Sequence, residues 1–178
     1  MNRSQLEHLI RAASALTQHT QFVICGSQAL LALGEDAPEE LISSLTADIF
    51  IPGDSQKTSL VGQSLGEMSV FDQTFQYCAR AVDEEELVLP EGWRDRVIPI
   101  ESADTAGATG YCLEVHDLAI SKLASGKDED FTFLLALLSH QLVDEGTLED
   151  RLAATELSTL LRADCEGRFA RLMRALTL

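Results

Sequence analysis

Two neighbouring stretches decide the fold: Gln21-Phe22-Val23-Ile24-Cys25-Gly26-Ser27-Gln28-Ala29-Leu30-Leu31-Ala32-Leu33-Gly34 and Thr46-Ala47-Asp48-Ile49-Phe50-Ile51-Pro52. The run QFVIC is rich in β-formers and ends at a glycine, so it predicts a strand. Ser27–Leu33 is rich in Ala and Leu and predicts a helix that Gly34 stops. Thr46–Ile51 predicts a second strand, closed by Pro52 and Gly53. A strand that passes through Gly-Ser into a helix leaves bare amides at the helix start, and glycine lets the backbone come close to a ligand. Those amides and the Ser27 hydroxyl suit a phosphate. On a neighbouring strand, Asp48 places a carboxylate beside the same phosphate, where Mg²⁺ would bridge the two.

Upstream, Leu6, Leu9, Ile10, Ala13 and Leu16 recur at helical spacing. Ser4 and Glu7 have the spacing of a capping box for that helix. Downstream, Lys57–Leu65 predicts a short helix and Thr74–Val82 alternates like a strand. The acidic run Asp83–Glu86 reads as a turn or loop. Leu87–Leu89, Val97–Ile100 and Thr109–Val115 predict short strands, with a turn-rich loop at Ala103–Gly110. From His116 onward helices take over: Leu118–Ala124 stopped by Gly126, Asp128–Leu142 with acids in its first turn, Leu148–Leu161 and Glu166–Leu176. Asp117 is read as the N-cap of the first of these, with His116 flanking it. Trp93 reads as a core anchor, Arg94 and Arg96 as partners for acidic groups, and His140 as a boundary residue on an apolar helix. The fold class is α+β, a mixed β-sheet flanked by helices with a C-terminal helical tail. The expected organisation is a single domain, 1–178, with an α/β core over 1–115 and a helical part over 116–178.

The 178 residues are 46% hydrophobic and 24% charged, an ordinary globular composition. No apolar run approaches the ~18 residues that span a bilayer, and MNRSQLEHLI lacks the apolar region of a secretion signal. The expectation is a cytoplasmic protein without a membrane partner. Cys25, Cys78, Cys112 and Cys165 form no C-x-x-C pair, and three of them fall in apolar strand-like runs, so they read as small buried hydrophobes. Thirteen Lys+Arg against 29 Asp+Glu give a net charge of −16. Such a chain repels phosphate backbones, so no extended nucleic-acid surface is expected, while a local basic pocket stays open.

The same residues carry a resemblance. FVICGSQALLAL followed by TADIFIP resembles the nucleotidyltransferase superfamily with the DNA polymerase β-type fold, whose signature is a Gly-Ser turn and then a strand bearing Asp-x-Asp. The chain is more closely similar to an uncharacterised bacterial nucleotidyltransferase-like family. The similarity runs through four ordered blocks from about Gln21 to Asp144. After the first come Gly66-Glu67-Met68-Ser69-Val70-Phe71 and Leu89-Pro90-Glu91-Gly92-Trp93-Arg94-Asp95-Arg96. The last is Gly110-Tyr111-Cys112-Leu113-Glu114-Val115-His116-Asp117-Leu118 with Ser121-Lys122-Leu123 and, beyond Gly126, Lys127 and Asp130.

The resemblance implies a function and a set of roles. Gly26 and Ser27 would hold the triphosphate of an NTP, and Asp48 would ligate Mg²⁺ with Glu67 helping. Lys122 and Lys127 would pair with phosphate. An acceptor hydroxyl on RNA or protein would attack the α-phosphate and pyrophosphate would leave. Relatives of this broad group often occur as one half of toxin–antitoxin or phage-abortive systems. Departures from the pattern keep a second function open. Phe50 stands where the second carboxylate belongs, and the third is unassigned, with Glu101 and Glu114 as candidates by strand position. Glu129 replaces a basic residue of the last block. The alternative is a catalytically degenerate module that keeps the fold for binding or regulation, and the −16 charge then points to a basic protein partner. A structural adaptor without a nucleotide site is the third reading.

Overall fold

A computed structural model describes residues 1–176 of the chain. It contains two compact units, one formed by Met1–Leu87 and Val97–Leu113, the other by Val88–Arg96 and Glu114–Leu178.

The first unit opens with helix α1 (Arg3–Thr17). Its cap is Asn2, not Ser4: the Asn2 side chain accepts from the Gln5 N–H, and the Gln5 side chain accepts from the Asn2 N–H. This is the reciprocal pairing expected of a capping box, moved two residues upstream and made from amides. Leu6, Leu9, Ile10 and Ala13 are fully buried along one face, as the apolar spacing requires. Then come strand β1 (Gln21–Ile24), a 3₁₀ run (Ser27–Asp36) and strand β2 (Thr46–Phe50). The run after β1 is tighter than the expected α-helix, and Gly34, at φ 66°, breaks it.

Helix α2 (Ser55–Leu65) is capped by Asp54, and helix α3 (Val70–Phe75) by Ser69. Capped at Ser69, α3 runs into the segment expected to be strand, taking Thr74 and Phe75. Gln76, in the left-handed conformation, ends the helix, and only Cys78–Ala81 remains as strand β3. Leu87–Leu89 is not a strand. It follows a 3₁₀ turn (Glu84–Glu86) capped by the Asp83 side chain. Strands β4 (Ile98–Ile100) and β5 (Thr109–Cys112) complete a mixed sheet in the order β3-β2-β1-β5-β4. β1 pairs antiparallel with β2 and parallel with β5, while β2 pairs parallel with β3. α1 and α2 pack on one another, α1 reaching β5 and α2 reaching β2 and β3. The α1 contact uses Gly110, where a Cβ would stand 3.3 Å from Ile10 Cγ1. Each fully buried Leu or Ile of this face adds about 1.5–3 kcal/mol.

The second unit is helical: α4 (Val115–Ser125), α5 (Asp128–Ser139), α6 (Glu145–Ala153) and α7 (Thr159–Leu176). The cap of α4 is Glu114, which accepts from the His116 and Asp117 N–H groups. Asp117 lies in the first turn and is fully buried, so the role expected of it falls to the residue three positions earlier. Arg96 donates both Nε and Nη2 to the Asp117 carboxylate, at 2.8 and 2.9 Å. The helix expected over Leu148–Leu161 stops at Ala153, and α7 takes in both the end of that segment and all of Glu166–Leu176. Trp93 is buried with the Arg94 guanidinium over its ring at 4.5 Å. All four cysteines are buried free thiols, and burial pushes the Cys112 thiol up to about 12. Among the described residues no helix is long and apolar enough to cross a membrane.

Candidate functional site

β1 ends one residue before Cys25, whose N–H donates to the Asp48 carbonyl at 3.0 Å. That bond extends the β1–β2 ladder and brings the Gly26–Ser27 turn alongside Asp48. The approach is close. A Cβ built on Gly26 would stand 2.9 Å from Asp48 Cβ and 2.8 Å from its Cγ, with Oδ2 nearer still. Gly26 caps the 3₁₀ run in an extended conformation, and its carbonyl accepts from Ala29 at 2.9 Å. The N–H groups of Gly26, Ser27 and Gln28 have no acceptor among the described residues, and the Ser27 hydroxyl makes no hydrogen bond there. These are the bare donors of a helix start, suited to an anion. Gln28, fully buried, donates to the carbonyls of Ile42 and Ser44 and so anchors the loop that leads into β2.

Asp48 has a neighbour that no reading of local sequence singled out. In the parallel β2–β3 pair Asp48 stands opposite Arg80. Arg80 Nε donates to Oδ1 at 2.6 Å and Nη2 to Oδ2 at 2.8 Å. The carboxylate is 14% exposed and the arginine side chain 60%. Gly26, in the turn that follows β1, Asp48 on β2 and Arg80 on β3 thus form a row. Phe50, two residues after Asp48 and therefore on the same face of β2, is 1% exposed.

The other expected residues of the first unit do not join this row. Glu67 stands exposed in the loop between α2 and α3 and makes no hydrogen bond or ion pair among the described residues. Glu101 follows β4 and accepts from Thr109 Oγ1. β1 and β5 lie between β4 and β2, a separation of roughly 14 Å at the usual strand spacing. Glu114, Lys122 and Lys127 belong to the second unit. Glu114 is occupied as the α4 cap and by the His116 ring, 2.7 Å away. Lys122 Nζ donates to Asp130 Oδ1 at 2.7 Å, and the buried Asp130 also accepts from the Lys127 N–H. The Lys-Asp block therefore joins α4 to α5. The Lys127 side chain is exposed, and with Lys122, Arg168 and Arg171 it lines a small cavity of about 70 Å³.

A divalent ion needs oxygen ligands, and two ions of the transferase type need several carboxylates. Among the described residues no three His, Cys, Asp or Glu side chains are grouped to hold a metal. At the Gly26 turn the second carboxylate position is a buried phenylalanine, and both Asp48 oxygens are held by Arg80. The residues present do not fit a two-metal centre. A cavity of about 200 Å³ lies nearby between Phe50, Gly53, Thr58 and Val82, but Asp54, Asp83, Glu84 and Glu85 line it and repel phosphate.

A family model described as "Nucleotidyltransferase of unknown function (DUF6036)" matches residues 4–171. No curated protein and no solved structure matches the chain.

Proposed function

The chain belongs to the DUF6036 family of nucleotidyltransferases of unknown function, and on that premise we propose that it is a nucleotide-binding module on the nucleotidyltransferase fold that does not carry out two-metal nucleotidyl transfer. The observation that supports this reading is Phe50. It buries an aromatic ring on the face of β2 where transfer needs a second carboxylate. Asp48 is then the one acid in the row with the bare amides of Gly26 and Ser27. The triphosphate of an NTP is the proposed ligand of those amides, and a basic protein is the partner that the charge of −16 favours.

Nucleotidyl transfer to RNA or protein is the second reading. The family description favours it, as does the close approach of the Gly26 turn to Asp48. Titration calorimetry of each NTP, with and without Mg²⁺, tests the first reading, with wild type and Asp48→Asn as the two proteins. Binding of an NTP without transfer of label to RNA or protein in a screen supports the module. Asp48-dependent transfer of label overturns it in favour of the enzyme, and absence of any NTP binding by the folded protein removes both.

A further inference from the structure

We infer that the Arg80 guanidinium is the resident cation of this site, standing where a divalent ion would sit on Asp48. The inference rests on the proposed nucleotide site for its ligand and adds to it the source of positive charge.

The position follows from the sheet. Parallel pairing of β2 with β3 puts residue 80 directly across from residue 48. Any acid at position 80 would share the place in front of Asp48, and this chain has an arginine there. The contact is a two-bond fork, 2.6 and 2.8 Å, that engages both carboxylate oxygens, the geometry in which guanidinium and carboxylate are best matched. A metal ion bound to Asp48 needs at least one of those oxygens. Asp48 is mostly buried beneath the fork while the Arg80 side chain is 60% exposed. The cation therefore lies on the solvent side of the carboxylate, where a ligand arrives.

The charge arithmetic explains why a cation is needed. The Asp48 carboxylate lies against the Cα of Gly26, so a phosphate on the Gly26–Ser27 amides would meet a fixed negative charge. Arg80 neutralises it with one positive charge that cannot be lost at any physiological pH. The site is then insensitive to divalent metal, in contrast to a centre that assembles only with its ions.

The test reads metal binding and needs no nucleotide. Mn²⁺ is titrated into wild type, Asp48→Asn, Arg80→Glu and the Arg80→Glu, Asp48→Asn double variant, with free Mn²⁺ measured by electron paramagnetic resonance. Comparison within pairs cancels the background of the other carboxylates. Wild type and Asp48→Asn are expected to bind alike. Arg80→Glu is expected to gain one Mn²⁺ at least tenfold tighter than background, and the double variant to lose it. A site in wild type that disappears in Asp48→Asn overturns the inference, as does a folded Arg80→Glu that gains nothing. Arg80→Gln removes the fork without adding charge. In it, broadening of the Asp48 carboxyl carbon resonance by Mn²⁺ is expected to rise several-fold over wild type, and equal broadening overturns the inference too. A parallel titration of ATP in EDTA and in Mg²⁺ separates the two claims. If no ATP binds, the nucleotide reading fails while the Mn²⁺ series still decides the role of Arg80.

Discussion

At Gly26 the backbone is extended, with φ −102° and ψ −167°, dihedrals open to any residue, and the demand for glycine is one of space. Gly26→Ala would press a methyl into the Asp48 side chain. Overpacking of this kind costs about 1–3 kcal/mol. Urea unfolding of Gly26→Ala is expected to show a loss in that range, and an unchanged midpoint would mean that Asp48 turns away without cost. Asp48→Asn behaves differently. Asparagine keeps the shape and one acceptor oxygen of the half-buried Asp48, and the 60% exposed Arg80 can return its charge to water, where an ion pair contributes about 0–1 kcal/mol. This variant is therefore expected to unfold within about 1 kcal/mol of wild type and to serve as a probe of binding. Gly26, Ser27 and Asp48 were legible in the sequence because a strand, a Gly-Ser turn and an Asp-bearing strand are local patterns. Arg80 was not. It faces Asp48 through the register of two strands 32 positions apart, and register is fixed by the packing of the whole sheet. Lys122 illustrates the reverse case, since its spacing to Asp130 was visible but the ion pair between them was not.

At the level of elements, the helix ends of the second unit carry the main ionisable cluster. The His116 ring lies between two capping carboxylates: Nδ1 is 2.7 Å from Glu114 and Nε2 3.3 Å from Asp144, which caps α6. The hydrogen bond to Glu114, opposed by burial and aided by the charges of Glu114 and Asp144, raises the His116 pKa above 6.5. Burial pushes the Glu114 carboxyl up, but the hydrogen bonds from the His116 ring and backbone outweigh it and hold the group below 4.5. A raised histidine pKa gives stability that is complete below the unfolded value of about 6.5 and is lost as pH rises through the folded value. A lowered carboxyl pKa gives stability that is complete above its unfolded value and is lost as pH falls through the folded one. The cluster therefore stabilises most between about pH 4.5 and 6.5. The urea midpoint of wild type is expected to fall from pH 6.5 to 8 more steeply than that of His116→Gln. Parallel slopes would remove the assignment.

One turn along α4, Asp117 is fully buried with Arg96, and Arg151 Nε lies 3.4 Å away without a hydrogen bond. Removing one partner of a buried pair costs about 3–5 kcal/mol. Asp117→Asn is expected to lose that much in urea unfolding and Arg96→Ala more than Arg151→Ala; the opposite order would place the main contact on Arg151. Strand and helix types were largely readable from periodicity. The caps were not, because Asn2 and Ser4 at α1, and Glu114 and Asp117 at α4, are each chemically able to cap; the Asn2–Gln5 pairing decides the first and a tertiary contact the second. Asp117 was withdrawn from capping by Arg96, a residue from a distant segment of sequence that belongs to the same unit.

Across the whole molecule the charge is unevenly shared. The first unit holds four Lys+Arg against 15 Asp+Glu, a net of −11, and the second nine against 14, a net of −5. The row of Gly26, Asp48 and Arg80 lies in the more acidic unit. Nucleic acid binds non-specifically by releasing counterions to lysine and arginine, with dissociation constants of about 10⁻⁴–10⁻⁶ M at physiological salt. A unit at −11 offers no such exchange, and its field opposes the approach of any polyanion. A small ligand with few phosphates meets the same field but needs only the local donors of one turn and one guanidinium. Fluorescence anisotropy of a labelled single-stranded RNA of about 20 nucleotides, at roughly 50 mM salt where backbone binding is strongest, is expected to stay flat up to about 100 µM protein. Binding that weakens linearly with the logarithm of salt concentration would show that a basic track exists despite the composition, and it would revive RNA as the acceptor. A flat response leaves RNA recognition to a partner and directs the search for what this protein engages toward basic proteins, whose attraction to the same surface grows as salt is lowered.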